Sequence, residues 1–344
     1  MLKKEFGITL NAPAFLGDAE QKGVWRTPPI KAMLREWWRV VAAPAEEFCH
    51  QRLRPIEGKL FGNAWLDNDF SKSRVRMALE HWHVGKMTGL DNDPKVTHPE
   101  VNFPVGSQLY LGYGPLIFQQ GAAIKSGAAL QANETNTLSL AYPDGDAGKI
   151  EQALQLIDWF GAFGGRSRNG WGSLGLSGQC ALTRRHPSLT GVLRPLADCL
   201  KLDWPHAIGQ DDQGPLIWES SASFNDWQAA MRFLAQTKIG FRTQKALAFG
   251  QVPTPHPQPL ERHLLAYPVT NHRVTERGWG GDGRLANQLR FKLYRDASGQ
   301  LRTRIVHTPH ACPLPVPSAL QQIAVWQTVH RWLDQQSTLT RLGA

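Results

Sequence analysis

The residues with the clearest binding chemistry lie in a glycine-rich segment that reads FGAFGGRSRNGWGSLGL over residues 160–176. Glycine lets the backbone adopt positive φ and approach a ligand closely. Guanidinium groups bind phosphates through paired hydrogen bonds, and an indole ring stacks on a base. The predicted binding residues of this glycine-rich loop, 161–175, are Arg166, Ser167, Arg168, Asn169 and Trp171. A plain surface turn is the alternative interpretation of the loop taken alone.

Two hexapeptides, GWGSLG (170–175) and GWGGDG (278–283), match the dinucleotide-binding pattern G-x-G-x-x-G. That loop must follow a strand and open a helix, so that the pyrophosphate sits at the helix N-terminus. The first hexapeptide instead follows a predicted helix and precedes a predicted strand, and the second lies between predicted strands. We therefore expect no nucleotide cofactor, and no other cofactor is indicated.

A second group of cations forms a stripe on a predicted helix, RTPPIKAMLREWWRVV. Lys31, Arg35 and Arg39 are spaced by four residues, so they project from one helix face. Like charges at this spacing repel each other by about 0.2–0.5 kcal/mol per pair, and the stripe therefore requires a counter-charge. Either Glu36 and other nearby acids supply it on a solvated face, or a nucleic acid does.

The stripe and the glycine-rich loop are expected to share one anion-binding surface. In a β-α-β-β-α-β domain, the loop before the last strand lies near the start of the first helix. Trp25 precedes the stripe in sequence and Trp38 lies within it; both are expected to frame this surface, where an exposed ring stacks an unpaired base. Trp38 also fits the buried face of the helix, so which tryptophan is exposed stays open.

A third basic patch is predicted on a hairpin around residues 296–300, DASGQ. Cations alternate with apolar residues along both predicted strands, so one face is apolar and the other is basic. The cations are Arg290, Lys292, Arg302 and Arg304. A solvated edge that discourages aggregation explains the alternation equally well.

Few residues suit catalysis. His81 and His83 flank Trp82 and share one face of a predicted strand, but no third ligand stands at a supporting spacing, so a structural pair is expected and no metal site is predicted. Asp67 and Asp69 sit in a predicted loop without further support. Motifs of serine hydrolases, zinc proteases and P-loop enzymes do not occur.

Composition narrows the class of protein. The 344 residues include 38 Lys+Arg and 29 Asp+Glu, a net charge of +9, which favours a polyanionic partner. The four cysteines are far apart without a CxxC pair, which indicates a reducing, cytoplasmic compartment. No apolar run approaches the roughly 18 residues of a membrane span, so no membrane partner is expected.

The residue patterns predict an α+β protein with two domains. In the domain of residues 1–185, strands are predicted at 4–10, 73–83, 108–118, 135–142 and 173–182, and helices at 28–43 and 147–163. The two helices alternate with strands in the β-α-β-β-α-β order of ferredoxin-like domains. A Pro- and Gly-containing linker region, 186–215, follows.

The domain of residues 216–344 is predicted as a looser copy. Strands are expected at 216–221, 289–294 and 301–307, and helices at 227–237 and 319–333, the last capped by Ser318. Residues 264–269 are the candidate for a fourth strand.

Several motifs in one order resemble the RAMP superfamily of CRISPR-associated proteins, and within it the subunit-one family of the type III-B Cmr effector complex. They read APAFLGDA, WRTPPIKAMLREWWRVV, GKLFG, YLGYG and GGRSRNGWGSL. The likeness is strong over residues 1–180 and weaker beyond, where LANQLRFKLYRD and RIVHTPHACP resemble a second RAMP domain. Ala32 stands where the family usually has glycine, and Ala12 where threonine is common.

This resemblance implies two RRM-like, ferredoxin-like RAMP domains in tandem. It further implies a non-catalytic subunit that binds guide RNA and single-stranded target RNA near the guide 3′ end, beside other RAMP subunits. One alternative is a metal-independent guide-processing endoribonuclease, with His81 or His186 as general base. Another is a backbone-type RAMP subunit that cleaves target RNA with Asp67 or Asp69.

Overall fold

Two four-stranded antiparallel sheets form the framework of the chain, in agreement with the predicted α+β class. The computed structural model describes residues 1–20, 22–64, 70–90, 92–125, 129–178, 188–249 and 254–343. Each sheet belongs to one half of the sequence, whereas the two clusters of buried apolar side chains each contain residues of both halves. No described helix is long and apolar enough to cross a membrane.

The N-terminal half contains the first sheet and its helices. Its elements are β1 (Leu2–Leu10), α1 (Thr27–Ala42), α2 (His50–Phe61), β2 (Arg76–Leu79), β3 (Lys95–Val96), β4 (Val105–Gly106), α3 (Ser107–Gly112), β5 (Leu116–Phe118), β6 (Ala122–Ile124), β7 (Thr135–Tyr142), α4 (Ala147–Phe160) and β8 (Leu174–Gly178). The sheet has the spatial order β2-β7-β1-β8. The segment 108–118, predicted as extended, instead begins with the short helix α3.

Apolar periodicity explains why α1 and α4 lie together on this sheet. Pro28 and Pro29 occupy the first turn of α1, where a missing N–H costs nothing. Trp37 of α1 stacks on Phe160 of α4 with ring centroids 5.6 Å apart. Ile30 and Leu34 complete the buried face of α1. The helix that carries the basic stripe is thus held by its opposite, apolar face.

The C-terminal half contains the second sheet. Its elements are β9 (Leu193–Pro195), α5 (Leu196–Cys199), β10 (Ile208–Asp211), β11 (Gly214–Pro215), β12 (Ile217–Ser220), α6 (Trp227–Thr243), β13 (Leu289–Arg295), β14 (Leu301–His307), α7 (Gln322–Asp334) and β15 (Leu339–Arg341). The main sheet has the order β13-β14-β12-β15, and β9 to β11 form a small separate sheet. The segment expected to be a linker therefore contains regular structure.

Two expectations for this half are wrong. The fourth strand is β15, whereas residues 261–264, at the start of the expected strand, form a 3-10 turn. The last helix begins at Gln322 with Gln321 at its N-cap, three residues after the start predicted from Ser318. The predicted hairpin strands are confirmed as β13 and β14, paired from Leu289 with His307 to Arg295 with Leu301.

The glycine-rich loop joins the two halves. The N–H of Phe291, on the edge strand β13, donates to the carbonyl of Arg168 at 3.1 Å. The N–H of Leu293 donates to Ser173 Oγ at 2.9 Å, and the amide of Asn11 donates to the carbonyl of Leu293 at 3.2 Å. The loop and Asn11 therefore provide hydrogen-bond partners for backbone groups of β13 that the second sheet leaves unpaired.

Lys292 fixes the same joint from within. Its ammonium group is fully buried and donates to the carbonyls of Ile157 at 3.2 Å, Gly161 at 2.5 Å and Leu174. Two of these carbonyls lie at the C-terminal end of α4, where the helix dipole favours a cation. Burial nevertheless lowers the pKa of Lys292 to about 7.

We predict that Gly172→Ala destabilises the chain by more than about 2 kcal/mol, because a left-handed residue with a Cβ and a steric clash are both costly. Gly172 has φ +69°, and a Cβ there would stand 2.0 Å from the carbonyl oxygen of Phe163. Gly175→Ala is the matched control, since its nearest heavy atom would lie at 3.7 Å. Urea unfolding of both variants measures this; equal stability would contradict the account.

The buried amine predicts a pH dependence of stability. Since the pKa of Lys292 is lowered to about 7 from 10.5, the folded protein releases this proton at lower pH than the unfolded chain. The free energy of unfolding of the wild type, minus that of Lys292→Met, should therefore rise between about pH 7 and about pH 10 and be flat below. Unfolding curves at several pH values measure the difference; one that falls over this window would refute the prediction.

Candidate nucleic-acid interface

The basic stripe of α1 is partly neutralised by a buried carboxylate on α2. Arg35 Nε donates to Glu57 Oε1 at 2.6 Å. Arg39 Nε donates to Glu57 Oε2 at 2.8 Å, and its Nη2 donates to Oε1 at 2.7 Å. The counter-charge is thus Glu57, and not Glu36 as the solvated-face alternative proposed. Because the single carboxylate of Glu57 binds two guanidinium groups, the cluster of Arg35, Arg39 and Glu57 keeps a net positive charge.

Lys31 lies at the mouth of a groove beside this stripe, between α1 and the segment after α2. The groove is lined by Pro28, Lys31, Ala32, Arg35, Phe61, Gly62, Asn63, Ala64, Ser71 and Ser73. Burial and the neighbouring charge of Arg35 lower the pKa of Lys31. No carboxylate in the described part of the chain forms an ion pair with Lys31. The groove therefore presents the charge of Lys31 without a described counter-ion, next to Arg35, which pairs with Glu57.

Gly62 shapes the floor of this groove. Its φ is +85°, and a Cβ at this position would lie 2.8 Å from the backbone nitrogen of Ser73. Only glycine fits such a close backbone approach without a shift of the chain.

Glu36 separates the stripe from the glycine-rich loop. Its carboxylate accepts a hydrogen bond from Arg290 Nη2 at 2.5 Å and lies 3.7 Å from Arg168 Nη2. Although burial raises the pKa of Glu36, Arg290 and Arg168 lower it more, to about 2. On the loop-facing side of α1, Arg168 and Arg290 are thus held by Glu36 and by contacts within the protein, and the stripe and the loop do not form the single anion-binding surface that the sequence predicted.

Most of the glycine-rich loop points into the protein. Arg168 donates to the carbonyl of Asn287 at 2.9 Å, and burial lowers its pKa to about 10. The Asn169 amide donates to the carbonyl of Leu111 at 2.8 Å, and its oxygen accepts from Lys238 at 2.8 Å. Ser167 is half-buried, and Arg166 is exposed. Of the five residues proposed from this loop, Arg166 faces the solvent most fully.

The three tryptophans predicted as stacking platforms are core residues. Trp171 packs against Phe15 and Trp227 with ring centroids 4.7 and 5.7 Å apart. Trp38 packs edge-on against Phe61, and the indole N–H of Trp25 donates to Glu134 at 3.2 Å. Their exposed fractions are 0–1%, so none is available to stack a base. Large apolar rings gain more free energy from burial than from such a contact.

The hairpin does not present the predicted basic face. Arg290 is buried and donates to Thr308 at 3.0 Å, besides its pair with Glu36. Arg304 is buried, pairs with Glu219 and lies 3.7 Å above the Trp159 ring. Arg302 is half-buried and binds Asp296 at 3.0 Å, and Lys292 is the buried amine already described. A basic patch for a ligand and a solvated edge, the two interpretations of this face, both required exposed cations. Both are wrong, because Arg290, Lys292 and Arg304 contact the N-terminal half of the chain.

The catalytic alternatives gain no support from the described residues. His81 Nε2 lies 3.2 Å from the carbonyl of Thr135, its Nδ1 is 3.4 Å from the Asn136 amide, and its ring stacks on His83 at 4.3 Å. Asp67, Asp69 and His186 lie outside the described residues. Within them, no group of three or more His, Cys, Asp or Glu could hold a metal ion.

Sequence reasoning missed a set of exposed aromatic side chains. They are Phe70, Trp82, Phe103, Tyr113 and Phe118. Tyr113 belongs to the YLGYG motif and immediately precedes Gly114, against which the Arg166 side chain lies. Its place before Gly-Pro was the available signal, since such turns project side chains into solvent.

Comparison with solved structures finds a similar fold in a chain of a type III-B Cmr-beta complex. Cmr1 of Pyrococcus furiosus, in its apo form, is 14% identical over 99% of this chain and 98% of that chain, with a TM-score of 0.49. A chain of the type III-B Cmr-beta complex bound to cognate target RNA and AMPPnP is 11% identical over 96% of this chain and 98% of that chain, with a TM-score of 0.50. The sequence has no significant match among curated proteins.

The sequence also matches a family model. The model described as the RAMP superfamily matches residues 8–175. This range begins within β1, contains α1, β7, α4 and the glycine-rich loop, and ends within β8. The N-terminal sheet, its two long helices and the loop are thus the part of the chain that is similar to the RAMP superfamily.

Proposed function

We propose that this chain is a non-catalytic, RNA-binding RAMP subunit of a type III-B Cmr effector complex. The observation that carries the proposal is the groove beside α1, where Lys31 lacks a described counter-ion, together with the adjoining stripe, in which Arg35 and Arg39 share the single carboxylate of Glu57. The fold shared with a chain of a Cmr-beta complex bound to target RNA supports the choice of complex. A polyanion is the ligand that such a groove favours.

The groove suits a phosphate backbone better than a single small anion. Arg35 and Arg39 are already oriented by Glu57, so little side-chain freedom is lost when their remaining N–H groups meet a phosphate. Lys31 adds a point charge next to Arg35, and a bound phosphate would reverse the lowering of its pKa. Phosphate contacts of this kind fix position and carry no sequence information.

The partners follow from the family resemblance. We propose that the groove binds guide RNA or single-stranded target RNA near the guide 3′ end, and that other RAMP subunits flank it. Arg166 supplies a second cation on the exposed side of the glycine-rich loop. The inward-facing residues of that loop hold the two halves together and take no part in RNA contact.

We also propose two ferredoxin-like RAMP domains in tandem, at residues 1–185 and 216–344, with 186–215 between them. Support comes from the strand orders β8-β1-β7-β2 and β15-β12-β14-β13, in which each half places its fourth, first, third and second strand side by side. In each half, one long helix follows the first strand and another precedes the fourth.

The groove predicts a specific loss of RNA affinity in Lys31→Ala. Lys149→Ala is the matched control, because it removes the same charge from a position on α4 that is half-buried, as Lys31 is. Lys31→Ala should weaken binding of a labelled single-stranded RNA several-fold and reduce the slope of log K against log salt by about 0.7, the value for one phosphate contact. Fluorescence anisotropy at several salt concentrations measures both. Equal behaviour of the two variants would remove the groove from the interface.

The non-catalytic assignment has its own test. The purified chain should leave single-stranded RNA intact with and without divalent metal. Cleavage that is lost in His81→Ala would establish the endoribonuclease alternative instead, and metal-dependent cleavage lost in Asp67→Ala or Asp69→Ala would establish the backbone-type alternative.

A further inference from the structure

Phe70 carries an aromatic ring that the protein leaves in solvent. Its side chain is 72% exposed, the largest exposed fraction among the large apolar side chains of the described residues. Single exposed apolar side chains are common on protein surfaces, so exposure alone does not indicate a ligand. The place of the ring relative to the α1 groove is therefore the observation that matters.

Phe70 directly precedes a residue that lines this groove. Ser71 and Asn63 form an antiparallel bridge. The N–H of Ser71 donates to the carbonyl of Asn63 at 3.2 Å, and the N–H of Asn63 donates to the carbonyl of Ser71 at 3.0 Å. In this register Phe70 stands across from Ala64. Because Asn63, Ala64 and Ser71 all line the groove, Phe70 lies at its rim.

The side-chain hydrogen bonds of the bridge indicate where the ring points. Ser71 Oγ donates to the carbonyl of Gly58 on α2 at 2.9 Å, and Asn63 Nδ2 donates to Ser71 Oγ at 3.0 Å. Both of these side chains thus face α2. Neighbouring side chains of an extended segment point to opposite sides. The Phe70 ring therefore leaves the bridge on the side away from α2, in agreement with its exposure.

The backbone beside Phe70 is fixed by the end of α2. The N–H of Arg74 donates to the carbonyl of Leu60 at 2.9 Å. Gly62 lies so close to the same segment that a Cβ on it would be 3.1 Å from the carbonyl oxygen of Ser71. Since the backbone is held, the ring can move only about its two χ angles, and little conformational entropy is lost when a flat ligand covers it.

The rest of the groove supplies cations and no accessible ring. Lys31 and Arg35 line it from α1. Phe61, an aromatic lining residue, is only 2% exposed. Among the described residues of the groove and its rim, Phe70 is thus the ring that a ligand can cover. Cations with an accessible ring match the two parts of a nucleotide, because phosphates bind cations and bases stack on aromatic faces.

We propose that Phe70 stacks one base of an RNA strand whose phosphates lie at Lys31 and Arg35, so that the α1 groove selects strands with unpaired bases. The bases of a duplex are stacked on each other and cannot cover the ring. This contact rests on the proposed function and adds a selectivity that the cations do not supply, since phosphates are common to single strands and duplexes.

The test compares Phe70→Ala with Phe103→Ala in the full chain. Phe103 is the matched control, because its ring is 67% exposed and lies between β3 and β4, outside the groove. Phe70→Ala should bind a labelled single-stranded RNA about five- to tenfold more weakly than Phe103→Ala, the loss expected for one stacked base. The slope of log K against log salt should stay unchanged, because no charge is removed. Fluorescence anisotropy measures both.

An oligonucleotide of the same length whose riboses carry no bases isolates the stacking contact. Phe70→Ala and the wild type should bind it equally, whereas Lys31→Ala should bind it more weakly than the wild type. Phe70→Trp should keep the affinity of the wild type for RNA, because an indole also stacks a base. A loss of affinity in Phe70→Ala that is equal for both oligonucleotides would refute the stacking contact.

Two controls address folding and selectivity. Urea unfolding should show equal stability for Phe70→Ala and the wild type, since the ring is exposed. Both proteins should also bind an RNA duplex of the same length equally. A loss in Phe70→Ala that is as large for the duplex as for the single strand would refute the selectivity.

The outcomes distinguish failure of this contact from failure of the proposed function. If Lys31→Ala weakens RNA binding and Phe70→Ala binds RNA as Phe103→Ala does, the α1 groove stands and the stacking contact is refuted. If the wild type binds neither RNA nor the oligonucleotide without bases, the proposed function fails, and the stacking contact fails with it.

Discussion

The arrangement of the two sheets depends on how the open edge of β13 is covered. An edge strand presents unpaired N–H and C=O groups, which must find partners when they are buried. The glycine-rich loop supplies them through the carbonyl of Arg168 and the hydroxyl of Ser173. To reach them, the loop uses positive φ at positions such as Gly170 and Gly172, where the chain passes within contact distance of α6 and of Phe163. Lys292 then closes the joint from the other side by binding three carbonyls of the N-terminal half.

This joint determines which cations remain for a ligand. Cationic side chains that face it have carboxylate partners, since Arg290 and Arg168 meet Glu36, and Arg304 meets Glu219. Cations on the outer surfaces are different, because Lys31 and Arg166 lack a described carboxylate partner. The RAMP family match covers the first sheet and the loop, which are the parts that build this joint from the N-terminal side.

The sequence predicts the elements better than the site. Alternation predicts β1 and β7, the helical spacing and Pro28 predict α1, and the hairpin of β13 and β14 follows from a turn between two alternating runs. Strand β15 spans only three residues, too few for a periodic signal. The prediction of a basic face on the hairpin is wrong because of tertiary packing. Alternation indicates that a strand has two different faces, but it does not indicate that other elements cover both of them. The prediction that Trp171 stacks a base is wrong for the same kind of reason. Its position in a loop suggests exposure, but the packing of the two halves buries it.

We expect RNA to contact cations that face the solvent, whereas the inward-facing side chains of the glycine-rich loop hold the two halves together. Photo-crosslinking of a single-stranded RNA that contains 4-thiouridine, followed by peptide mapping, tests this division most directly. We predict a crosslink in the peptide that contains Lys31, reduced by excess unlabelled RNA. Crosslinks confined to the peptides of Trp171 and of Lys292, with none at Lys31, would contradict the account.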